Sequence, residues 1–168
     1  RRNGSIPTRG SDKAVGRPHP RASCHLQLDL RVRSHDVNLA DVVRDALDAS
    51  SSMVEAGQHQ LEVHQPDRAL HALADRTRLA QVVSNLLINS AHAMQGKGRI
   101  HVAIDEVNTM CQIAFSDAGP GIPDDLREKV FTPFFTTKSR GSGLGLATAR
   151  RFVEAHNGQI AIDCPPQG

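Results

Sequence analysis

The sequence predicts an α/β fold of the α+β type, a two-layer sandwich in which helices cover one face of a mixed sheet. Three segments have apolar residues spaced three and four positions apart, the period of an amphipathic helix, and they begin near Asn38, Asp75 and Leu144. Other segments alternate apolar and polar residues, the period of a strand with one buried face. Because both periods occur in one chain of 168 residues without an internal repeat, a single two-layer domain accounts for them.

The predicted helices are delimited by residues that start or stop a helix. The first is expected from Asn38 to near Gly57, with Asn38 or Asp41 available as its N-cap. The third is expected from Leu144 to His156, where an Asn-Gly pair closes it. Between them, the helix that begins at Asp75 carries the longest apolar arc.

Strands are predicted where the alternation has a period of two. The segments 99–105 and 110–116 flank a turn at Asn108 and predict a hairpin. The shorter predicted elements are strands around 61–63, over 70–74 and over 159–163, and a short helix over 124–130.

The N-terminal segment differs in composition from the rest of the chain. Residues 1–20 are rich in Gly, Pro, Arg and Ser and lack apolar periodicity, so we expect them to be disordered. Residues 23–33 alternate apolar and polar side chains, which fits either a short strand or the end of a connecting helix. We therefore place the domain at 35–168, behind a disordered basic tail or the end of a connecting helix at 1–34.

Charge and composition exclude several classes of function. Residues 1–34 carry eight Arg or Lys against two Asp, so the net charge of +2 leaves −4 on the remainder, and Trp and Tyr are absent. A body of this kind does not form a nucleic-acid surface. Three separated cysteines predict free thiols in a reducing compartment, and no apolar run reaches membrane-spanning length. We expect a cytoplasmic domain without nucleic-acid or membrane contact, any membrane anchor of the parent protein lying outside it.

The second predicted helix carries a polar stripe beside its apolar arc. Asn85, Asn89 and His92 are spaced i, i+4 and i+7 and lie along one line of the helix. Asn is a poor helix former, and its neutral carbonyl oxygen is a ligand for a hard cation such as Mg²⁺ whose coordination phosphates and waters complete. The structural alternative is that these amides cap or bridge to a neighbouring strand.

A Gly- and Pro-rich loop follows the second hairpin strand, with the sequence DAGPGI over 117–122. An Asp at the end of a buried strand points into a pocket, and glycines let the backbone approach a ligand. Asp117 is the expected acceptor for the exocyclic amine of adenine, a position where guanine offers a carbonyl. A plain turn would use the same residues.

A second glycine-rich segment, GSGLGL over 141–146, opens the third helix. Free backbone N–H groups and the positive end of a helix favour phosphate oxygens there. Lys138, just before it, either meets a phosphate or is solvated. Phe131 and Phe134 are expected to close the core under the intervening loop, whatever the function.

Four motifs in order, NLLINSAHAM, DAGPGI, VFTPFFTTK and GSGLGLATARRFVEAHNGQI, resemble the N, first glycine, F and second glycine boxes of sensor histidine kinases. The resemblance covers about residues 36–164 and implies the Bergerat ATP-binding fold, a mixed sheet under three helices. It implies ATP and Mg²⁺ as ligands, with Asn89 holding the metal and Asn85 orienting that site. The residues implied to contact the nucleotide are Asp117, Gly119, Gly121, Ile122, Lys138, Gly141, Ser142, Gly143, Leu144, Gly145, Leu146 and His92.

The resemblance also implies a reaction and partners. The domain would donate the γ-phosphoryl group of ATP to a histidine of a separate dimerisation domain of the parent protein. A response-regulator receiver domain would then receive the phosphoryl group from that histidine. Hydrolysing relatives carry a Glu four residues before the metal Asn, whereas Asn85 cannot usefully accept a proton, which favours transfer over hydrolysis. The alternatives are a non-catalytic or an ATP-hydrolysing nucleotide-binding module of the same superfamily.

Several features depart from the family pattern. Ser90 replaces a common Ala, His92 stands where many members carry a basic residue, and the segment from Lys138 to Gly141 predicts a small nucleotide lid. The sequence ends at Gly168 before the family's last strand, so we expect a truncated sheet with an unpaired edge. Ser34-His35-Asp36 is not expected to be the phosphoacceptor, and the isolated domain is expected to be a monomer because the family's dimer contact lies in other helices.

Overall fold

Seven strands and three α-helices make up the part of the chain that the computed structural model describes, residues 22–29, 36–94, 96–138 and 141–164. The helices are α1 (Leu39–Ala56), α2 (Arg76–Ala93) and α3 (Gly145–Ala155). The strands are β1 (Ala22–Asp29), β2 (Asp36–Asn38), β3 (Gln60–His64), β4 (His71–Leu73), β5 (Arg99–Val107), β6 (Met110–Asp117) and β7 (Gln159–Asp163).

Side-chain caps start the first two helices, and Asn38 is one of the two caps predicted for the first. The side chain of Asn38 accepts a hydrogen bond from the amide of Ala40 at 2.9 Å, and that of Asp75 accepts one from the amide of Arg78 at 3.0 Å. Each satisfies a backbone donor that the first helical turn leaves free. The third helix, α3, begins with no side-chain cap, which leaves its first N–H groups available to another acceptor.

Five strands form a mixed sheet in the order β3-β5-β6-β1-β7, in which β3 and β5 are parallel and the other neighbours antiparallel. The three helices cover one face, α2 between α1 and α3, as the sequence predicts. The core lies between the two layers; its largest fully buried side chains include Leu26, Leu79, Leu87, Ile100, Ile113 and Phe115. A second, two-stranded sheet pairs β2 with β4.

The position of β1 corrects the predicted domain boundary. Of the two interpretations left open for residues 23–33, the structure shows the strand, and it lies inside the sheet, with Ala22 opposite Asp117 and Ser23 opposite Asp163. Leu26 is fully buried, so 22–29 belong to the folded unit, and a boundary after residue 34 is placed too late. The predictions for residues 1–20 and for Ser34 and His35 lie outside the described residues.

Two strands, β3 and β7, form the edges of the described sheet. The strand β6 is paired on both sides, with β5 and with β1. The β5–β6 hairpin confirms its prediction, because Asn108 and Thr109 have φ of 51° and 68°, as a type I′ turn requires.

Two predictions for the segment between β6 and α3 are wrong. The helix expected over 124–130 is replaced by two 3-10 turns, Asp124–Leu126 and Lys129–Phe131. Of these residues only Phe131 is buried, too little apolar surface to stabilise a regular helix. Phe134, expected in the core, is 76% exposed. Its backbone has a φ of 67° and is hydrogen-bonded to Gly143, and this conformation turns the ring outward.

Candidate functional site

All four predicted motifs meet along the C-terminal half of α2. The loop after β6 approaches Ala93, since a Cβ placed on Gly119 would lie 3.1 Å from that residue's Cβ. The start of α3 approaches Asn85, whose Cγ is 3.7 Å from a Cβ placed on Gly145. The loop that ends at Lys138 reaches the same helix between these two points. Segments far apart in the chain therefore border one groove.

The polar stripe of α2 lies at this groove. Asn85 and Asn89 are half-buried and His92 is exposed. The Oδ1 atom of Asn89 accepts a hydrogen bond from Nζ of Lys138 at 2.9 Å. Partial burial lowers the pKa of His92, and the positive charge of Lys138 lowers it further, so this lysine lies close enough to both side chains to act on them.

The Asp117 loop is held in a tight turn at the end of β6. The half-buried carboxylate accepts a hydrogen bond from the amide of Gly119 through Oδ1 at 2.9 Å. A Cβ on Gly119 would lie 2.8 Å from that same oxygen, so only glycine fits there without a shift. Gly121 has a φ of 78°, a conformation that also favours glycine. Backbone and carboxylate are thus fixed relative to each other.

The Asp117 loop is supported by three residues that the sequence does not single out for the site: Cys24, Arg127 and Cys164. The amide of Ile122 donates to Sγ of Cys164 at 3.4 Å, and Arg127 donates to the carbonyl oxygen of Cys164 at 2.9 Å. Burial, and then the negative charge of Asp117, raise the pKa of the Cys24 thiol to about 12, which places this cysteine beside the carboxylate. No local sequence signal could reveal these contacts, because they join segments distant in the chain.

The glycines before α3 are required by close backbone packing. Gly143 has a φ of 67°, and a Cβ there would lie 2.4 Å from the carbonyl carbon of Phe134. The amide of Phe134 donates to the carbonyl oxygen of Gly143 at 3.0 Å. This bond joins the loop carrying Lys138 to the segment that begins α3, and it holds Phe134 in its exposed position.

The start of α3 presents backbone donors that no side chain caps. Its first amides have no side-chain cap, and only the fourth, that of Thr148, bonds back to Leu144 at 2.9 Å. Unsatisfied N–H groups and the positive helix end favour phosphate oxygens. Lys138 adds a cation nearby, and desolvation lowers its pKa although the residue is exposed.

The donor set fits a magnesium ion shared with a phosphate better than an all-protein metal centre. Among the described residues, no group of three or more His, Cys, Asp or Glu could hold a metal ion. Asn89 offers one neutral oxygen that already accepts a cationic donor, and Mg²⁺ commonly takes few protein ligands together with phosphates and waters.

A separate cavity of about 460 Å³ lies between α1 and α2. It is bordered by Asp45 and Arg76, which form an ion pair at 2.7 Å, and by Ser84. None of the predicted site residues lines it. The groove at the C-terminal half of α2 is therefore the candidate site, since the cation, the carboxylate and the free helix end meet there.

Residues 74–168 match the model of the histidine kinase-, DNA gyrase B-, and HSP90-like ATPase family. This region contains α2, the Asp117 loop and the glycine-rich segment that opens α3. The chain therefore belongs to that family, and within it to the ATP-binding catalytic domains of sensor histidine kinases.

Relatives of known sequence and structure agree with this assignment. Sensor histidine kinase ZraS of Salmonella typhimurium is 38% identical over 127 residues, which are 75% of this chain and 27% of that protein. Signal transduction histidine-protein kinase AtoS of Escherichia coli is 43% identical over 94 residues, 55% of this chain and 16% of that protein. The chain thus spans about a quarter or less of the length of these relatives.

Solved structures show the same fold. The nucleotide-free catalytic domain of histidine kinase ThkA superposes with a TM-score of 0.68 at 30% identity, covering 78% of this chain and 93% of that one. A crystal structure of ThkA in complex with response regulator protein TrrA matches with a TM-score of 0.63 at 28% identity, covering 76% of this chain and 40% of that one. Within the described residues, no helix is long and apolar enough to cross a membrane.

Proposed function

We propose that this domain binds Mg-ATP and donates the γ-phosphoryl group to a histidine on a separate dimerisation domain of the parent protein. The observation that carries the proposal is the convergence on α2 of three features: the fixed Asp117 carboxylate, the Asn85 and Asn89 amides, and the uncapped start of α3. Each suits one part of Mg-ATP, and they occur in one groove.

Asp117 is the proposed acceptor for the adenine amine. Its Oδ1 is occupied by the amide of Gly119, which orients the carboxylate and leaves its second oxygen to face a ligand. An exocyclic amine donates to such an oxygen, whereas the carbonyl of guanine would repel it. A half-buried carboxylate left without a donor is costly, so we expect strong discrimination for ATP over GTP.

The triphosphate is proposed to lie across the start of α3. The free amides of Gly145 and the residues after it would donate to phosphate oxygens, and Lys138 would add a positive charge from the loop. Ser142, whose Oγ lies 3.4 Å from the amide of Leu144, lines the same turn. The bond between Phe134 and Gly143 keeps this loop against the helix start.

Asn89 is the proposed magnesium ligand, and Asn85, on α2 beside the start of α3, orients the site. A bound magnesium ion neutralises charge on the phosphates during transfer. An amide at position 85 accepts no proton usefully at neutral pH, so this chain lacks, at that position, a general base that would activate water. This supports transfer to a side chain over hydrolysis.

The remaining partners follow from the proposed reaction. A phosphoacceptor histidine on the dimerisation domain and a response-regulator receiver domain are proposed because sequence relatives are named sensor histidine kinases. A structural relative, histidine kinase ThkA, forms a complex with response regulator protein TrrA. In isolation the domain is proposed to be a monomer.

Calorimetric titration with Mg-ATP and Mg-GTP tests nucleotide binding. Asp117→Asn, which turns part of the acceptor into a donor, is expected to weaken ATP binding at least about 100-fold. Asp105→Asn is the matched control, since Asp105 is exposed on β5 near the hairpin turn and should leave the affinity unchanged. Undiminished ATP affinity in the Asp117 variant would contradict the site.

Transfer is tested by adding a separate dimerisation domain. Acid-labile phosphate on that domain, with no steady release of inorganic phosphate by the present chain alone, is the expected result. Continuous phosphate release without an acceptor would instead favour the hydrolysing alternative.

A further inference from the structure

The contact between Lys138 and Asn89 joins a loop to a helix across the candidate site. Nζ of Lys138 donates to Oδ1 of Asn89 at 2.9 Å, although 49 positions separate them. Asn89 is half-buried on α2, and its neighbours Leu86 and Leu87 are buried in the core, so the backbone that carries its side chain is held in place. Lys138 comes from the exposed end of the loop. One partner is therefore fixed, and the other is free to move.

The shared oxygen is the atom that the proposed function assigns to the metal. Mg²⁺ binds oxygen at about 2.0–2.1 Å and demands near-ideal octahedral geometry. An ammonium 2.9 Å from the same oxygen would lie within a few ångströms of that metal, where two positive charges repel strongly. Lysine and metal cannot both hold this oxygen.

We propose that Lys138 occupies the metal-binding oxygen of Asn89 in the nucleotide-free domain, and leaves it for the phosphates when Mg-ATP binds. This inference rests on the proposed function. In the free domain the lysine satisfies a polar oxygen that would otherwise lack a partner in the groove. When the nucleotide arrives, the ammonium gains anionic oxygens and the metal takes its place on Asn89.

The strength of the contact suits an exchange. Among the ion pairs of the described residues none includes Lys138, and its ammonium donates to the neutral amide oxygen of Asn89. Hydrogen bonds with charge on both partners are stronger than those with a neutral acceptor. A triphosphate can therefore draw the ammonium away, whereas free Mg²⁺ alone offers it no new partner.

The loop is built so that Lys138 can turn without unfolding the site. The amide of Lys138 donates to Oγ1 of Thr136 at 3.1 Å, and its carbonyl accepts from the amide of Gly141 at 3.2 Å. Both bonds involve backbone atoms of Lys138, so neither of them restrains its side chain. A side-chain rotation can therefore take the ammonium off Asn89 without a backbone rearrangement.

The affinity for Mg-free ATP, measured in EDTA, separates this exchange from a simple phosphate contact. Asn89→Ala removes the oxygen that holds Lys138, so this variant should bind Mg-free ATP about 3- to 10-fold more tightly than the unmodified chain, the factor expected for one exposed charge-assisted hydrogen bond. A lysine that never touches Asn89 predicts no change. Ala is also the better helix former, so the variant should fold.

A double variant shows whether the gain passes through the lysine. Lys138→Met should bind Mg-free ATP more weakly than the unmodified chain, and adding Asn89→Ala to it should produce no further change. Lys129→Met is the matched control because it removes the same charge from a lysine whose nearest ion-pair partner is Asp125 at 4.0 Å. This control should leave the affinity unchanged.

A nucleotide-free measurement tests the contact itself. Acetylation of lysines by a limiting amount of reagent, followed by mass spectrometry, should modify Lys138 several-fold faster in Asn89→Ala than in the unmodified chain. Lys129 serves as the internal reference, with an unchanged rate. A hydrogen-bonded amine is a poorer nucleophile than a free one, which is why the rate reports the contact.

The outcomes distinguish the inference from the function on which it rests. An Asn89→Ala variant with unchanged or weaker affinity for Mg-free ATP, or with an unchanged Lys138 acetylation rate, would overturn the exchange while leaving ATP binding intact. A chain that binds ATP in neither Mg²⁺ nor EDTA would contradict the proposed function and the exchange together.

Discussion

Replacing Gly143 with Ala tests how the loop and the start of α3 are held together. An L residue at a φ of 67° costs about 1–2 kcal/mol relative to glycine. The added Cβ would also lie 2.4 Å from the carbonyl carbon of Phe134 and 2.7 Å from the oxygen of Phe135. These are backbone atoms, which cannot rotate away as the end of a side chain can, so the loop itself must shift.

The expected loss follows from these two terms. The φ penalty alone should lower the melting temperature by about 4–8 °C, at roughly 4 °C per kcal/mol for a domain of this size. If the loop gives way locally, the melting temperature falls less, and the bond between Phe134 and Gly143 is lost instead. The loss then appears as weaker ATP binding, because the phosphate-binding turn is no longer held in place.

Gly145→Ala is the matched comparison. A Cβ there would meet nothing closer than 3.7 Å, and Ala in a helix is favoured over Gly by up to about 1 kcal/mol. Its melting temperature, followed by circular dichroism, should equal or exceed that of the unmodified chain. The reasoning is refuted if Gly143→Ala retains both melting temperature and ATP affinity, or if Gly145→Ala is the less stable of the two.

Three further predictions concern stability, thiol labelling and the pH dependence of unfolding. Phe131→Ala should cost about 3–4 kcal/mol in urea unfolding, because the ring is 8% exposed, whereas Phe134→Ala at 76% exposed should change stability by less than about 0.5 kcal/mol; equal losses would contradict the two placements. Burial raises the pKa of Cys24 to about 12 and of Cys111 to about 11, with Asp117 and Glu106 adding smaller effects, so iodoacetamide at pH 8 should label both only after unfolding. Since the folded state keeps the two thiol protons that the unfolded chain releases, the free energy of unfolding should fall as pH rises above about 9. The fall should be smaller in the double Cys→Ala variant.

Local sequence was sufficient to predict most of the elements. A cap acts on N–H groups two or three residues away, and Asn38, one of the two caps expected for α1, makes such a bond. The hairpin turn likewise depends on two adjacent residues, Asn108 and Thr109. Helix and strand periods need only ten or so residues to be recognised, so the three helices and the β5–β6 hairpin follow from the sequence.

The candidate site was predictable in its residue types but not in its contacts. The motifs containing Asn89, Asp117 and Gly143 are recognisable in order along the chain, and the resemblance implies that they meet. The bonds that join them, such as that of Lys138 to Asn89 and that of Arg127 to Cys164, span 49 and 37 positions. No spacing rule reaches across such distances, so the partners of these side chains depend on how the layers pack.

The sequence by itself determined where helices begin, which strands form a hairpin and which polar residues are candidates for nucleotide contact, because each of these depends on neighbours in the chain. Only the tertiary structure decided that 22–29 pair between β6 and β7 and that Phe134 is exposed. An alternating pattern indicates a strand without specifying its partners. An apolar residue is buried only where the backbone turns it inward, and at Phe134 the contact with Gly143 turns it out.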